Sequence, residues 1–446
     1  MTRRLRCLMA SLAFLVAVMA MAQPAAATKI ERVVSPGGIE AWLVREPSIP
    51  LVALNFAFLG GASEDPALKP GVGNMTASLL DDGAGELDSK AFHEQIDQNA
   101  VELRFNVTSD YFSGSIRMLR DRQDQSIELL RLALNEPRFD ADAIERVRAQ
   151  ILAGLRRDST NPNRIASRTW WKTAFPGHPY GQPNNGTFES IPTITADDLR
   201  SYARRVLTRA NLKVAAVGDI DAATLGRTLD RVFGSLPANG NRSAVPDAAP
   251  TAAGRRLVVQ LDVPQSVVQL GGVGLMRNDR DFIPAYVVNH ILGGGSFTSR
   301  LYDEVREKRG LAYGVYSYLQ TLKHSALFMV GTQANADRTG EALALIEAQI
   351  RRMVDEGPTE EELAKAKAYL KGSYALNFDT STKIANVLLN IQLDNLGIDY
   401  IDKRNGLIDA VTIDDARRAA KRLAAGGMFV TVVGRPKGLA SKEPGG

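Results

Sequence analysis

Few side chains in this chain could do chemistry. The histidines are His93, His178, His290 and His324, and the one cysteine is Cys7. His93-Glu94-Gln-Ile-Asp97 opens like a helical zinc motif, but gripping one ion needs imidazoles at i and i+4 on one helix face, and the fourth position on is Asp97. Leu87 and Phe92 flank an Asp88 N-cap, and Phe92 with Ile96 marks the buried face. His93 is therefore expected to point into solvent. His178, in the Gly177-His-Pro-Tyr-Gly181 turn, reads as structural, and His290 as packed.

A second candidate run is Ile291-Leu-Gly-Gly-Gly-Ser-Phe-Thr-Ser-Arg-Leu-Tyr-Asp-Glu-Val-Arg306-Glu-Lys-Arg-Gly-Leu-Ala-Tyr313. Locally it predicts a turn at Gly293, Gly294 and Gly295, a helix from Ser299 to Arg309, a Gly310 stop and a strand. Strand alternation puts Tyr313 on one face with Leu311, Val315 and Ser317. On pattern alone, Arg306 complements the helix dipole and Tyr313 packs on a sheet.

The elements that position these residues begin after an unusual start. Arg3, Arg4 and Arg6 precede an apolar stretch from Leu8 to Ala22, followed by small-residue cleavage sites at Ala20-Met-Ala22 and Ala25-Ala-Ala27. This is the layout of a secretory signal peptide, with an uncleaved anchor as the alternative. Arg3-Arg4 hints at a twin-arginine route, which the following residues fit poorly. Loss of residues 1–27 removes three arginines and no acids, so the formal charge of +4 becomes +1. A near-neutral chain gives no charge-based case for nucleic acid or an anionic membrane. Cys7 leaves with the leader, which removes disulfide, thiolate-metal and cysteine-nucleophile chemistry. A periplasmic location is the expectation. Composition is ordinary for a globular protein, 45 % hydrophobic and 23 % charged, and 446 residues suggest two or three domains.

The chain repeats itself. Ile194-Thr-Ala-Asp-Asp-Leu-Arg-Ser-Tyr-Ala, followed by Lys213-Val-Ala-Ala-Val-Gly-Asp219, recurs weakly as Val411-Thr-Ile-Asp-Asp-Ala-Arg-Arg-Ala-Ala and Met428-Phe-Val-Thr-Val-Val-Gly434. Each copy reads as a Thr-capped helix with an acidic first turn, then an apolar strand closed by glycine. The helix around Arg146–Arg157 matches Lys365–Leu376 at nearly the same offset. A stretch from Ser235 to Arg256, rich in Pro, Ala, Gly, Asn and Ser, separates the halves as a linker. The division expected is signal peptide 1–27, N-terminal lobe 28–235, linker 236–256 and C-terminal lobe 257–446. Strand candidates at 50–59 and 265–275 are each followed by a helix (70–82 and 283–293) and then an antiparallel pair (103–108 with 111–118; 311–320 with 326–333). Hairpin pairing with helices grouped afterwards predicts an α+β fold: two homologous sandwich lobes, each a mostly antiparallel sheet with helices packed on it, related by duplication.

This order of elements resembles the pitrilysin/insulinase family of inverted zincins, which includes the mitochondrial processing peptidase. Markers along the chain are Gly60-Gly-Ala62, Gly71-Val-Gly73, Gly177-His-Pro-Tyr-Gly181, Thr187-Phe-Glu-Ser-Ile191 and Asn211–Asp219. The family's chemistry sits on the first helix as His-x-x-Glu-His, with a second glutamate downstream. In the corresponding run Asn74 and Ser78 stand for the histidines and Ala77 for the general base; family spacing puts Gly154 at the second glutamate. An amide, a hydroxyl, a methyl and a bare backbone neither grip zinc like imidazole and carboxylate nor take a proton from water. A cryptic metal site from Asn74 with Asp81 or Asp82 is set against the plainer reading of those aspartates as a solvated helix end.

The resemblance changes the reading of Arg306 and Tyr313. Family members use such a pair, on the C-terminal lobe, to hold substrate backbone and stabilise charge at the scissile carbonyl. Gly293, Gly294 and Gly295 resemble the substrate-contacting loop of the processing peptidase's non-catalytic subunit. The function implied is a non-catalytic subunit of a heterodimeric periplasmic zinc endopeptidase. It would bind peptide and supply Arg306 and Tyr313 to a homologous zinc-bearing partner, holding no cofactor itself. The rival reading is a non-proteolytic peptide-binding or scaffold protein.

Overall fold

The computed structural model describes residues 29–442; the basic leader, its cleavage sites and Cys7 lie outside the described residues. The first half contains β1 (Glu31–Val34), β2 (Glu40–Arg45), β3 (Leu51–Leu59), α1 (Val72–Ala77), α2 (Ser89–Gln98), β4 (Glu102–Val107) and β5 (Tyr111–Leu119). It continues with α3 (Gln123–Asn135), α4 (Ala141–Ser159), α5 (Pro162–Ala174), α6 (Ala196–Val206), β6 (Leu212–Gly218) and α7 (Ala222–Phe233). The second half contains β7 (Arg256–Gln260), β8 (Gln265–Val273), α8 (Phe282–Asn289), β9 (Ala312–Thr321) and β10 (Ala326–Asn335). It ends with α9 (Thr339–Asp355), α10 (Glu360–Gly372), α11 (Ser381–Leu393), α12 (Tyr400–Asp409), α13 (Ile413–Ala424) and β11 (Met428–Gly434). No helix among the described residues is long and apolar enough to cross a membrane.

Duplication is visible in the strand order. One sheet runs β1-β2-β6-β3-β5-β4 and the other β7-β11-β8-β10-β9. In each, the strand closing the repeat pairs in parallel with an early strand (β2 with β6, β7 with β11), and every other pairing is antiparallel. The recurring helices α6 and α13 begin with the same capping box, Thr195 with Asp198 and Thr412 with Asp415, which satisfies donors at both ends of the first turn. The α+β architecture of two related lobes is thus present.

Both central sheets are covered on two faces, and one cover on each comes from the opposite half. In β3, Val52, Leu54, Phe56 and Phe58 point into the first lobe's own core under α1, α3, α6 and α7. The alternate residues Ala53, Asn55 and Ala57 are small, which lets α11 of the second half lie close. Leu388, Leu389 and Ile391 of α11 pack there on Ala57, Ala215 and Val217, while Gln392 Nε2 donates to the Val214 carbonyl at 2.9 Å. Asn55 Nδ2 donates to Asn386 Oδ1 at 2.8 Å. Reciprocally, α5 of the first half lies on β8 and β11. Trp170 is fully buried there, stacks on Phe429 at 6.2 Å between ring centroids and donates Nε1–H to the Phe429 carbonyl at 3.2 Å. A Cβ at Gly271 would run into the Trp170 ring, so glycine in β8 is what seats it.

A third tie joins the hairpin tips. Tyr180 donates its hydroxyl to Asp110 Oδ1 at 2.6 Å and accepts from the His324 N–H, while Asp110 Oδ2 accepts from the Lys323 N–H at 2.8 Å. Burial and the Asp110 carboxylate push the Tyr180 phenol well above its ordinary range, so it stays a donor.

Two expected helices differ from the chain's path. The helix expected over 70–82 ends as α1 at Ala77, and its continuation turns at Gly83, whose φ of +107° favours glycine. The helix expected over 299–309 is a π-wound turn, Tyr302–Glu307, with Lys308 N–H donating to the Asp303 carbonyl five residues back. A similar π turn, His290–Gly294, extends α8.

Trp170→Ala removes the largest apolar seat between the halves. It is expected to cost about 3–5 kcal/mol, read as a lowered urea midpoint; a loss below about 1 kcal/mol would show that the halves are not held together there.

Candidate functional site

Around α1 the sequence dictates a tight backbone. Gly71 sits at the N-cap with φ +101°, and Asp65 accepts from the N–H groups of Gly71 and Gly73 at 2.7 and 2.8 Å. Burial pushes the Asp65 carboxyl up to about 7, against the downward pull of those donors. A Cβ at Gly73 would meet the Tyr202 hydroxyl at 2.7 Å, so the Gly-Val-Gly signature is a packing requirement of this helix. The helix in turn packs on β4, the free edge strand of its sheet.

At the positions that the resemblance aligns with the zinc ligands and the general base, the side chains have other surroundings. Asn74 is half-buried, Ala77 is a buried methyl, and the exposed Ser78 donates its hydroxyl back to the Asn74 carbonyl at 2.9 Å. Gly154 on α4 faces open space: a Cβ there would find only Arg157 Nη2, at 3.8 Å. Among the described residues no group of three or more His, Cys, Asp or Glu side chains stands close enough to hold a metal ion. This donor set does not fit zinc. The expected solvated helix end is corrected by the structure: Asp82 is buried, held by Ser89 and by Arg146 Nη2 at 2.7 Å. Asp81 is half-buried, and desolvation raises its carboxyl above the usual range.

The histidines have local partners. His93 is exposed, with Nδ1 2.7 Å from the Ser89 carbonyl. His178 Nδ1 accepts from the Tyr180 N–H, which leaves Nε2 to donate to the Pro246 carbonyl at 3.0 Å. His290 is buried and stacked on Tyr369 at 4.9 Å, with burial holding its imidazole below the ordinary range. His324 Nδ1 lies 3.0 Å from Asp247.

Arg306 and Tyr313 are brought together, by a route that pattern alone misses. The expected alternation fails because β9 carries a bulge: Thr332 pairs with Val315 but Ala334 pairs with Ala312, so Tyr313 and Gly314 both oppose Gln333. The extra residue turns Tyr313 away from the face of Leu311, Val315 and Ser317, which stay buried, and leaves it 85 % exposed beside Tyr316 and Tyr318. Tyr316 and Tyr318 stack at 6.1 Å. The guanidinium of Arg306 lies between two rings, 4.8 Å from the centroid of Tyr302 and 5.3 Å from that of Tyr313. Tyr302, in the π turn, is buried with its hydroxyl unpartnered, and its ring meets the exposed Phe297 edge-on. Gly293 is buried where a Cβ would meet Ser317 Oγ at 2.6 Å, and a Cβ at Gly295 would meet the His290 carbonyl at 2.7 Å; Gly294 is exposed. The loop thus packs closely on β9 and α8.

Tyr313, Tyr316 and Tyr318 form one wall of a cleft of about 490 Å³ between the outer face of the second sheet and α5. Arg164, Ser167 and Trp171 of α5 line it and also line a second cleft of about 320 Å³, which reaches Leu155 and Asp158 of α4 and Asn184. Together they make a trough along α5, from the helix that carries Gly154 to the bulged edge of β9. Sequence reasoning missed Tyr302, Tyr316 and Tyr318. The Tyr316-x-Tyr318 spacing was a readable signal; the bulge and the π turn that align them with Arg306 were not.

The chain is similar to known proteins over most of its length. Residues 193–370 match the family described as Peptidase M16 inactive domain. Non-peptidase homolog YmxG of Helicobacter pylori is 27 % identical over 345 residues, 77 % of this chain and 79 % of that one. An uncharacterized zinc protease of Streptomyces coelicolor is 27 % identical over 415 residues, 91 % of this chain and 89 % of that one. The crystal structure of a peptidase M16 inactive domain from Pseudomonas fluorescens superposes with a TM-score of 0.86 at 27 % identity, covering 93 % of this chain and 99 % of that one.

If α1 and α4 keep the separation a zinc site needs, the combined variant Asn74→His, Ala77→Glu, Ser78→His, Gly154→Glu should retain one zinc ion per chain after dialysis, measured by elemental mass spectrometry. The unmodified chain should retain none. A folded variant without zinc would show that the two helices are not held at coordinating distance.

Proposed function

We propose that this chain, similar over residues 193–370 to the family described as Peptidase M16 inactive domain, is the non-catalytic subunit of an exported zinc endopeptidase. Its partner would be a homologous chain that bears the metal. The observation that carries this reading is the Arg306 guanidinium, clasped by Tyr302 and by Tyr313, whose ring lines the aromatic trough. The first lobe offers amide, hydroxyl, methyl and bare backbone at the positions that the family resemblance assigns to metal ligands and a general base. A cation and a phenol held this way can donate to a peptide carbonyl and to the charge that develops on it, while having nothing with which to activate water. The chain is equipped for half of a reaction, and the other half must come from another polypeptide.

Each lobe ends in an edge strand, β4 on the first and β9 on the second. An extended peptide can add to such an edge through main-chain hydrogen bonds, without strict side-chain requirements. The tyrosine wall supplies flat, sequence-tolerant contact area for the peptide residues that run on along the trough. Export by the leader would bring the chain to the periplasm, where the metal-bearing partner is also expected.

A second reading, a peptide-holding scaffold that takes part in no cleavage, is favoured by the same free edges and by the description of the Helicobacter pylori relative as a non-peptidase homolog. Copurification from native periplasm separates the two. A bound homologue with intact His-x-x-Glu-His supports the peptidase subunit, whereas a lone or self-paired chain supports the scaffold.

In the reconstituted pair, Arg306→Ala or Tyr313→Phe is expected to lower kcat about 100-fold, with little change in complex formation by gel filtration. Unchanged turnover in both variants would remove the proposed role of this pair.

A further inference from the structure

Beyond Tyr318, on the side away from the trough, a cavity of about 480 Å³ opens between α8, α11, α12 and β9. Aromatic and aliphatic groups, among them Tyr286, Tyr374 and Ile391, share its wall with two guanidiniums, Arg277 and Arg404. The two cations are held differently. Arg277 Nε lies 3.4 Å from Asp394 Oδ2, and its Nη2 donates to the Tyr400 hydroxyl at 2.7 Å. Arg404 is only 6 % exposed, and no carboxylate among the described residues pairs with it. Its Nη1 donates to the Leu370 carbonyl at 3.1 Å and to Asn405 Oδ1 at 3.4 Å. Its plane lies over Tyr374 at 4.0 Å and near Tyr286 at 5.9 Å. Nε and Nη2, the side-on edge of the fork, have no acceptor among the described residues.

A guanidinium taken out of water without a counter-charge is costly, and buried arginines accordingly carry an acid. Here the fold supplies ring faces and a carbonyl, and leaves the two coplanar donors unused at the wall of a cavity. Two arginines against Asp394 give the cavity one net positive charge. That balance suits a monoanion, and the planar fork matches the geometry of a carboxylate. We propose that this cavity binds a carboxylate carried on an apolar or aromatic group, its oxygens on Nε and Nη2 of Arg404 and its apolar part against Tyr374, Tyr286 and Ile391. The carboxylate can belong to a free organic acid or to the C-terminus of a peptide that continues past Tyr318 from the trough. The site is complete within this chain and does not depend on pairing with a metal-bearing subunit.

The test is calorimetric titration of the full chain alone with 3-phenylpropanoate, 3-phenylpropanamide, N-acetyl-Ala-Ala-Phe and the C-terminal amide of that peptide. The acids should bind saturably with Kd at or below about 1 mM, and the amides at least about 30-fold more weakly. Arg404→Gln should abolish acid binding and Arg404→Lys should keep part of it. Should Arg404→Gln unfold the chain, Asn390→Asp, which sets a competing carboxylate on the cavity wall, should remove acid binding from a folded protein. Tighter binding of the peptide acid than of 3-phenylpropanoate assigns the site to peptide C-termini, and equal or weaker binding assigns it to small acids; both support it. Acids and amides binding alike, acid binding unaffected by the Arg404 and Asn390 variants, or no saturable binding of either acid would overturn it.

Discussion

Exchange of helices between the two halves is the constraint on which the rest of the structure depends. A sheet needs both faces covered, and here α11 covers the first sheet while α5 lies on the second. The exchange fixes the distance and angle between lobes more firmly than a flexible connector could, because each cover is an apolar surface with its own buried polar bond, at Val214 for one and at Phe429 for the other. It also shapes both clefts: α5 covers β8 and β11 and forms one wall of the trough against β9, and α11, which covers the first sheet, also contributes Val387, Asn390 and Ile391 to the wall of the Arg404 cavity.

The asymmetry between the lobes comes from what each position asks of its residue. The Gly-Val-Gly entry to α1 is held by backbone requirements: a left-handed N-cap, an Asp65 that collects its amides, and a phenol pressed against Gly73. None of these needs zinc, so the helix keeps its place while the side chains that would coordinate metal are absent. Arg306, by contrast, has as its side-chain partners among the described residues the rings of Tyr302 and Tyr313 and the carboxylate of Glu307. Its position has no evident use in stabilising the fold that a smaller residue could not meet, which is the physical ground for reading it as functional.

Much of this was legible in the residues. The duplication showed in two Thr-x-Asp-Asp starts followed by glycine-closed strands, and both became capping boxes before β6 and β11. Asn74, Ala77, Ser78 and Gly154 could be singled out because helical spacing and family order fix where ligands would stand. What escaped depends on local irregularity or on distant contact. Alternation placed Tyr313 with Val315, and a one-residue bulge reversed that, since Gln333 opposes two residues and nothing in the strand's own sequence announces it. The π winding of Tyr302–Glu307 replaced an α-helical expectation for a similar reason. Arg404 gave no signal, because its burial comes from Tyr374 and Tyr286, brought to it by folding from other helices and turns.

The exchange also sets an order on how this polypeptide can be made. Trp170 belongs to a helix of the first half, yet the ring it stacks on, Phe429, lies in β11, 259 residues later in the chain. Until α11 and β11 are both in place, the first half carries a bare sheet face over Ala57 and Val217 and an uncovered tryptophan, surfaces of the kind that drive misassembly in partly folded chains. Neither half is therefore a self-sufficient module, since each leaves one apolar sheet face for the other to cover.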